Sequence, residues 1–87
     1  MNDKLMLDLT VVIGIHEMLT YIQNNPGAYW KDVWENSKIL RFVYPAPADQ
    51  WEDNIVTILD NRVEDGYLRR DGEHYYATTK ADDILAT

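Results

Sequence analysis

DQWEDNIVTILDNRVEDGYLRRDGEHYYATTKADDIL, residues 49–85, holds the signals from which the fold is read. In its first part Trp51, Ile55, Ile58, Leu59 and Val63 recur at the spacing that lines one side of a helix with apolar groups. Asp49 and Glu52 have the spacing of a capping box, Pro47 is an alternative opening, and Gly66 is a natural stop. This predicts a helix over about 49–65. Beyond it, strand-forming residues flank Asp71-Gly72, a strong short-range hairpin signal, so the segment 67–78 reads as a two-stranded wing. A turn centred on Asp71-Gly72 sets Arg70 opposite Glu73 and Leu68 opposite Tyr75. Residues 79–86 then form a short final helix, capped by Thr78 or Thr79.

Toward the N-terminus, Ile39 to Tyr44 is rich in strand formers, but Pro45-Ala46-Pro47-Ala48 interrupts it, and 39–48 reads as a connection. Before it, about 29–38 predicts a short second helix with Trp30, Val33 and Trp34 inward. The first helix, about 5–24, places Val11, Ile15, Met18, Leu19 and Ile22 on one apolar face and ends at Asn24-Asn25-Pro26-Gly27. It carries a second apolar stripe. A small domain buries one such stripe, and the other calls for a partner, so Leu5, Leu9, Val12 and Ile13 are the expected homodimer interface. Phe42 or Tyr44, in the proline-flanked stretch, is expected to stand exposed as an anchor for another chain.

The chain of 87 residues supports one domain, 1–87, and its apolar share of 46% is enough to fold throughout. No cysteine is present, which removes disulfides and thiolate metal sites and makes the cytoplasm the expected compartment. Asp3, Asp8 and Glu17 interrupt the apolar N-terminal segment, so neither a signal peptide nor a membrane span is expected.

The order of helices and hairpin, and specifically GYLRRDGEHYYATTKADDIL at 66–85, resembles the winged helix-turn-helix superfamily, in particular the wing of MarR- and PadR-like bacterial and archaeal regulators. There a glycine closes the recognition helix, a basic strand leads to an Asp-Gly turn, and a tyrosine strand runs into a Thr-x-Lys-Gly helix start. Here Ala81 stands in place of that last glycine. The likeness covers 49–85, and the connection at 39–48 is longer than a typical helix-turn-helix turn. It implies a mostly α fold with a small β-hairpin in a prokaryotic or viral regulator. It further implies that the third helix enters a DNA major groove and the wing touches the backbone, although many winged helices bind proteins instead. On the DNA reading Gln50, Asn54 and Thr57 read bases, with Asp53 able to accept from cytosine, while Arg69, Arg70 and Lys80 contact phosphates.

Charge argues against that use. The formal net charge is −7, and a basic patch must outweigh it within a Debye length of roughly 8–10 Å. With Ile55 inward, the outward face of the third helix carries Asp49, Asp53, Asp60 and Glu64 beside Gln50, Thr57 and Asn61, and no Lys or Arg. A carboxylate about 6 Å from a phosphate costs about 0.7 kcal/mol even in water. Several of them cancel a good base contact. The face is either a solvated acidic surface or one that docks on a basic protein partner or mimics DNA.

His16-Glu17-Met18-Leu19-Thr20 begins like the zinc-protease HExxH, but threonine stands where the second ligand belongs. No nucleophile with a histidine partner and no glycine-rich phosphate loop is legible, so no enzyme, metal or cofactor is expected. The sequence is therefore read first as a small winged-helix regulator acting through protein contacts. The alternatives are a sequence-specific DNA-binding regulator and a structural subunit of a larger assembly.

Overall fold

The computed structural model describes residues 2–86, with side chains from Leu9 onward. The helix α1 (Asn2–Asn24) leads into a short strand β1 (Ala28–Tyr29), then α2 (Trp30–Asn36) and α3 (Lys38–Val43). A 3-10 turn, Ala48–Gln50, opens α4 (Trp51–Glu64), which is followed by β2 (Leu68–Asp71), β3 (His74–Ala77) and α5 (Thr79–Leu85). The three strands form one antiparallel sheet in the order β1-β3-β2. The chain is thus mostly helical with a small hairpin-based sheet, a winged-helix-like arrangement. Leu5, one of the expected interface residues, lies outside the described residues as far as its side chain is concerned.

The core sits where α1, α2 and α4 meet the sheet. From α1 come Met18, Leu19 and Ile22, from α2 Val33 and Trp34, and from α4 Ile55 and Leu59. Burying each aliphatic of this kind is worth about 1.5–3 kcal/mol, which is why α4 adopts the rotation its apolar spacing predicts. Its end also follows the sequence. Gly66, at φ +88°, supplies the left-handed residue of a Schellman closure in which the Gly66 N–H donates to Val63 O (3.1 Å) and the Tyr67 N–H to Arg62 O (3.0 Å).

Four local readings are corrected. The expected capping box at Asp49 and Glu52 is absent: Gln50 occupies the N-cap and makes no side-chain cap bond. Pro47, extended at ψ 154°, opens the 3-10 turn that Gln50 N–H closes on Pro47 O (2.9 Å), which leaves Asp49 inside the turn.

The second correction concerns the hairpin. Gly72 has φ +62° and no non-glycine residue has positive φ among the described residues, so the turn centre is Gly72-Glu73, as in a type II′ turn, which requires positive φ only at its first central position. Asp71 stays in the strand. Arg70 therefore faces Tyr75, not Glu73, and Leu68 faces Ala77.

Third, the helix expected over 29–38 is divided. Tyr29 belongs to β1, which pairs Ala28 with Tyr75 and Tyr29 with His74. At the other end, fully buried Ser37 turns its hydroxyl back to Val33 O (2.6 Å) and leaves helical geometry at φ −104°, ψ 68°.

Fourth, the segment 39–48 is not simply a connection, because its first half is α3. Two long-range contacts hold this short helix. Glu17 of α1 accepts the Ile39 backbone N–H (3.1 Å), and Leu40 is fully buried. A Cβ on Gly14 would lie 2.8 Å from Leu40 Cδ2, so the glycine is what lets α3 lie close against α1.

Candidate interaction surfaces

Along the outward face of α4, Asp49, Gln50, Asp53, Thr57, Asn61 and Glu64 are exposed, and Asn54 is half-buried. The Thr57 hydroxyl donates to Asp53 O (2.7 Å). Asp49, Glu52, Asp53 and Glu64 have no ion-pair partner among the described residues. Arg62 lies against the apolar stripe and pairs with Asp65 (2.8 Å).

Asp60 departs from the acidic face as the sequence pictured it. It is half-buried, and its carboxylate accepts from Arg70 Nη1 at 2.9 Å to each oxygen and from the Tyr75 hydroxyl at 2.9 Å. This bond to Asp60 is the main reason the Arg70 guanidinium holds its proton even more firmly than usual, with Tyr75 contributing next. Burial, reinforced by the hydrogen bond to Asp60, pushes the Tyr75 hydroxyl up to about 12. The outward angle of Asp60 on a helical wheel is correct. What the wheel cannot register is that the wing folds back over that end of α4.

The wing cations are used in the same way. Arg70 also donates from Nε to Gly72 O (2.7 Å), closing the turn. Lys80 donates to Asp65 O (2.7 Å) and lies 4.6 Å from the Tyr67 ring centre. Arg69 rests on the Tyr76 ring at 4.4 Å and has no carboxylate partner among the described residues. The basic group singled out for phosphate contact is therefore built mostly into the junction between α4, the hairpin and α5.

Apolar surface is presented by α1 and α3. On α1, Leu9, Val12 and Ile13 are 62%, 53% and 50% exposed, and their spacing places them on one side of the helix. Phe42 on α3 is 83% exposed and Tyr44, just past it, 41%. A surface patch of this kind is uncommon on a domain that works alone.

Beside Phe42 lies an open cleft of about 410 Å³. Its floor is Trp34 and Trp51, whose ring centres are 6.0 Å apart at 37°, and Trp51 Nε1 donates to Ala46 O (2.8 Å), fixing the Pro45-Ala46 wall. Lys38 and Arg41, both exposed, stand on the rim. Sequence reading missed this site because it read 39–48 as a connection. The segment Ile39 to Ala48 that supplies much of it is rich in strand formers and proline, and a helix of six residues is too short to display its own period.

Another, smaller cleft of about 110 Å³ brings Glu52, Asp53 and Glu73 to the side of Trp30 and Tyr75, with Arg70 also on its wall. His16 and Glu17 are half-buried in α1, where Glu17 serves α3 as described. His74 is exposed on β3, with Nδ1 3.0 Å from Gly27 O. Among the described residues no group of three or more His, Cys, Asp or Glu could hold a metal ion, and no helix is long and apolar enough to cross a membrane. Comparison with protein-family models, with curated proteins and with solved structures found no match.

Proposed function

We propose that this chain is a winged-helix regulatory protein of the MarR- and PadR-like kind, working in the cytoplasm through protein contacts and without catalysis. Two copies associate through the α1 stripe of Leu9, Val12 and Ile13, and the acidic face of α4, with Asp49, Asp53 and Glu64 exposed, docks on a basic partner. One observation carries this reading. At the position where a DNA-binding winged helix presents cations, Arg70 is held by the Asp60 carboxylate and Lys80 by the Asp65 backbone carbonyl, whereas Asp49, Asp53 and Glu64 are left without ion-pair partners among the described residues. The cleft lined by Glu52, Asp53, Glu73 and Trp30, where the one cation, Arg70, is paired with Asp60, supplies a place for a lysine or arginine of that partner, with carboxylates to pair its charge and a ring to lie against its stem.

The second reading is sequence-specific DNA binding. It is favoured by Gln50 and Thr57 lying exposed on α4 and Arg69 exposed on the wing. Arg70 is already charge-paired with Asp60, which offsets its attraction for a phosphate, so the affinity available from the backbone is small. Fluorescence anisotropy of a labelled random duplex, titrated at low salt, separates the two. Protein docking predicts no association, and salt-sensitive association would overturn it in favour of DNA.

A further inference from the structure

The cleft walled by α3 is opposite in character to the α4 face. In a chain of net charge −7, the cations that neither pair with a carboxylate nor lie against a ring are, among the described residues, Lys31, Lys38 and Arg41. Arg41 has only the Glu35 carbonyl at 3.4 Å. Lys38 and Arg41 stand one turn apart on the rim of the same cleft. Its floor is preformed, since Trp51 is fixed by its bond to Ala46 O and packs against Trp34. Phe42, the most exposed large apolar side chain among those described, stands at the edge.

We infer that the Trp34/Trp51 cleft, rimmed by Lys38 and Arg41, is a docking site for an acidic segment of a partner protein that carries an aromatic or aliphatic side chain beside its carboxylates. The apolar side chain covers the indole floor and Phe42 while the carboxylates meet Lys38 and Arg41. Charge complementarity selects this occupant, because a basic segment is repelled here and drawn to α4 instead. The cleft is open, so a small molecule would stay largely in water, whereas an extended chain covers floor and rim together. The assignment does not depend on the acidic α4 face and would stand if that face proved inert.

Selection of a displayed library of random 12-residue peptides against the full chain tests it. The expected result is enrichment of sequences combining Asp or Glu with an aromatic or aliphatic residue. Synthesised copies of those sequences should quench tryptophan fluorescence, and they should bind the double variant Lys38→Glu/Arg41→Glu at least tenfold more weakly and Phe42→Ala several-fold more weakly. All three positions are exposed, so melting temperatures should stay near that of the parent chain, and Asp53→Asn should leave peptide affinity unchanged. Enrichment without acidic residues, equal affinity for the double variant, or no enrichment would overturn the proposal. So would loss of self-association in the double variant measured by sedimentation, which would identify the occupant as a second copy of this chain.

Discussion

At the wing, Arg70 is held by Asp60 and stacked beside Tyr75, Lys80 by Asp65 and Tyr67, and Arg69 by the ring of Tyr76. Around α3 the reverse holds. Lys38 has no partner among the described residues, Arg41 has a single distant carbonyl, and Phe42 and Tyr44 face solvent. The two regions carry similar residue types, basic and aromatic, but only one spends them internally. Such groups are available to another molecule only where the fold has left them unpaired, so the segment that resembles a DNA-contacting wing is the poorer candidate for contact, and the one that reads as a linker is the better.

The largest effect that would break this contrast is at Leu40. It anchors α3 to α1 from a fully buried position, so Leu40→Ala should cost about 2–5 kcal/mol in urea denaturation. Phe42→Ala, two positions along but exposed, should change stability by no more than about 0.5 kcal/mol. Equal costs at the two positions would mean that α3 is not seated as described.

Next comes Asp60. Asp60→Ala strips the acceptor from exposed Arg70 and from the hydroxyl of buried Tyr75, and leaving a buried donor such as that hydroxyl unsatisfied costs about 1–3 kcal/mol. Glu64→Ala, on the same helix without a partner, should lie within about 0.5 kcal/mol of the parent. If the two substitutions proved equivalent, Asp60 would belong with the free acidic face after all.

A smaller effect appears with alkali. Tyr75 ionises near 10 when unfolded and near 12 when folded, so the folded chain holds this proton more tightly. The associated stabilisation is complete below pH 10 and is lost as pH rises through about 12. Melting temperature followed from pH 9 to 12.5 should therefore fall more steeply for the parent than for Tyr75→Phe, which has no proton to lose. Parallel curves would detach Tyr75 from the wing junction.

The smallest effect on folding and the clearest on assembly is expected at Val12, which is exposed on α1. Val12→Asp should leave far-ultraviolet circular dichroism unchanged and halve the mass measured by light scattering. A parent chain that is already monomeric at high concentration would remove the dimer from the proposed function.

Residues 49–85 were largely legible in sequence because their determinants are local. The apolar spacing of Trp51, Ile55 and Leu59 fixes the rotation of α4, Gly66 supplies the left-handed stop, and strand formers on either side of a glycine turn make a hairpin. Leu9, Val12 and Ile13 were legible as a surplus stripe for a similar reason, since a helix of known period has a countable number of faces. Local signals gave way where two of them competed. At Asp71-Gly72-Glu73 the choice of turn centre depended on whether one or two residues took positive φ, and that choice moved Arg70 from Glu73 to Tyr75.

By itself the sequence determined that the first helix and the one following Pro47 are helical by period, where those two stop, and that the outward face of the latter is mostly acidic, all of which depend on bonds and contacts within a few residues. Tertiary structure alone decided that 38–43 is a helix, that Asp60 is bound while Glu64 is free, and that Lys38 and Arg41 share a cleft with Trp34 and Trp51. Each of these rests on groups distant in the chain, such as Glu17 meeting the Ile39 N–H or Tyr75 meeting Asp60. Pairings across such distances follow from how helices pack, and no local pattern of residues encodes them.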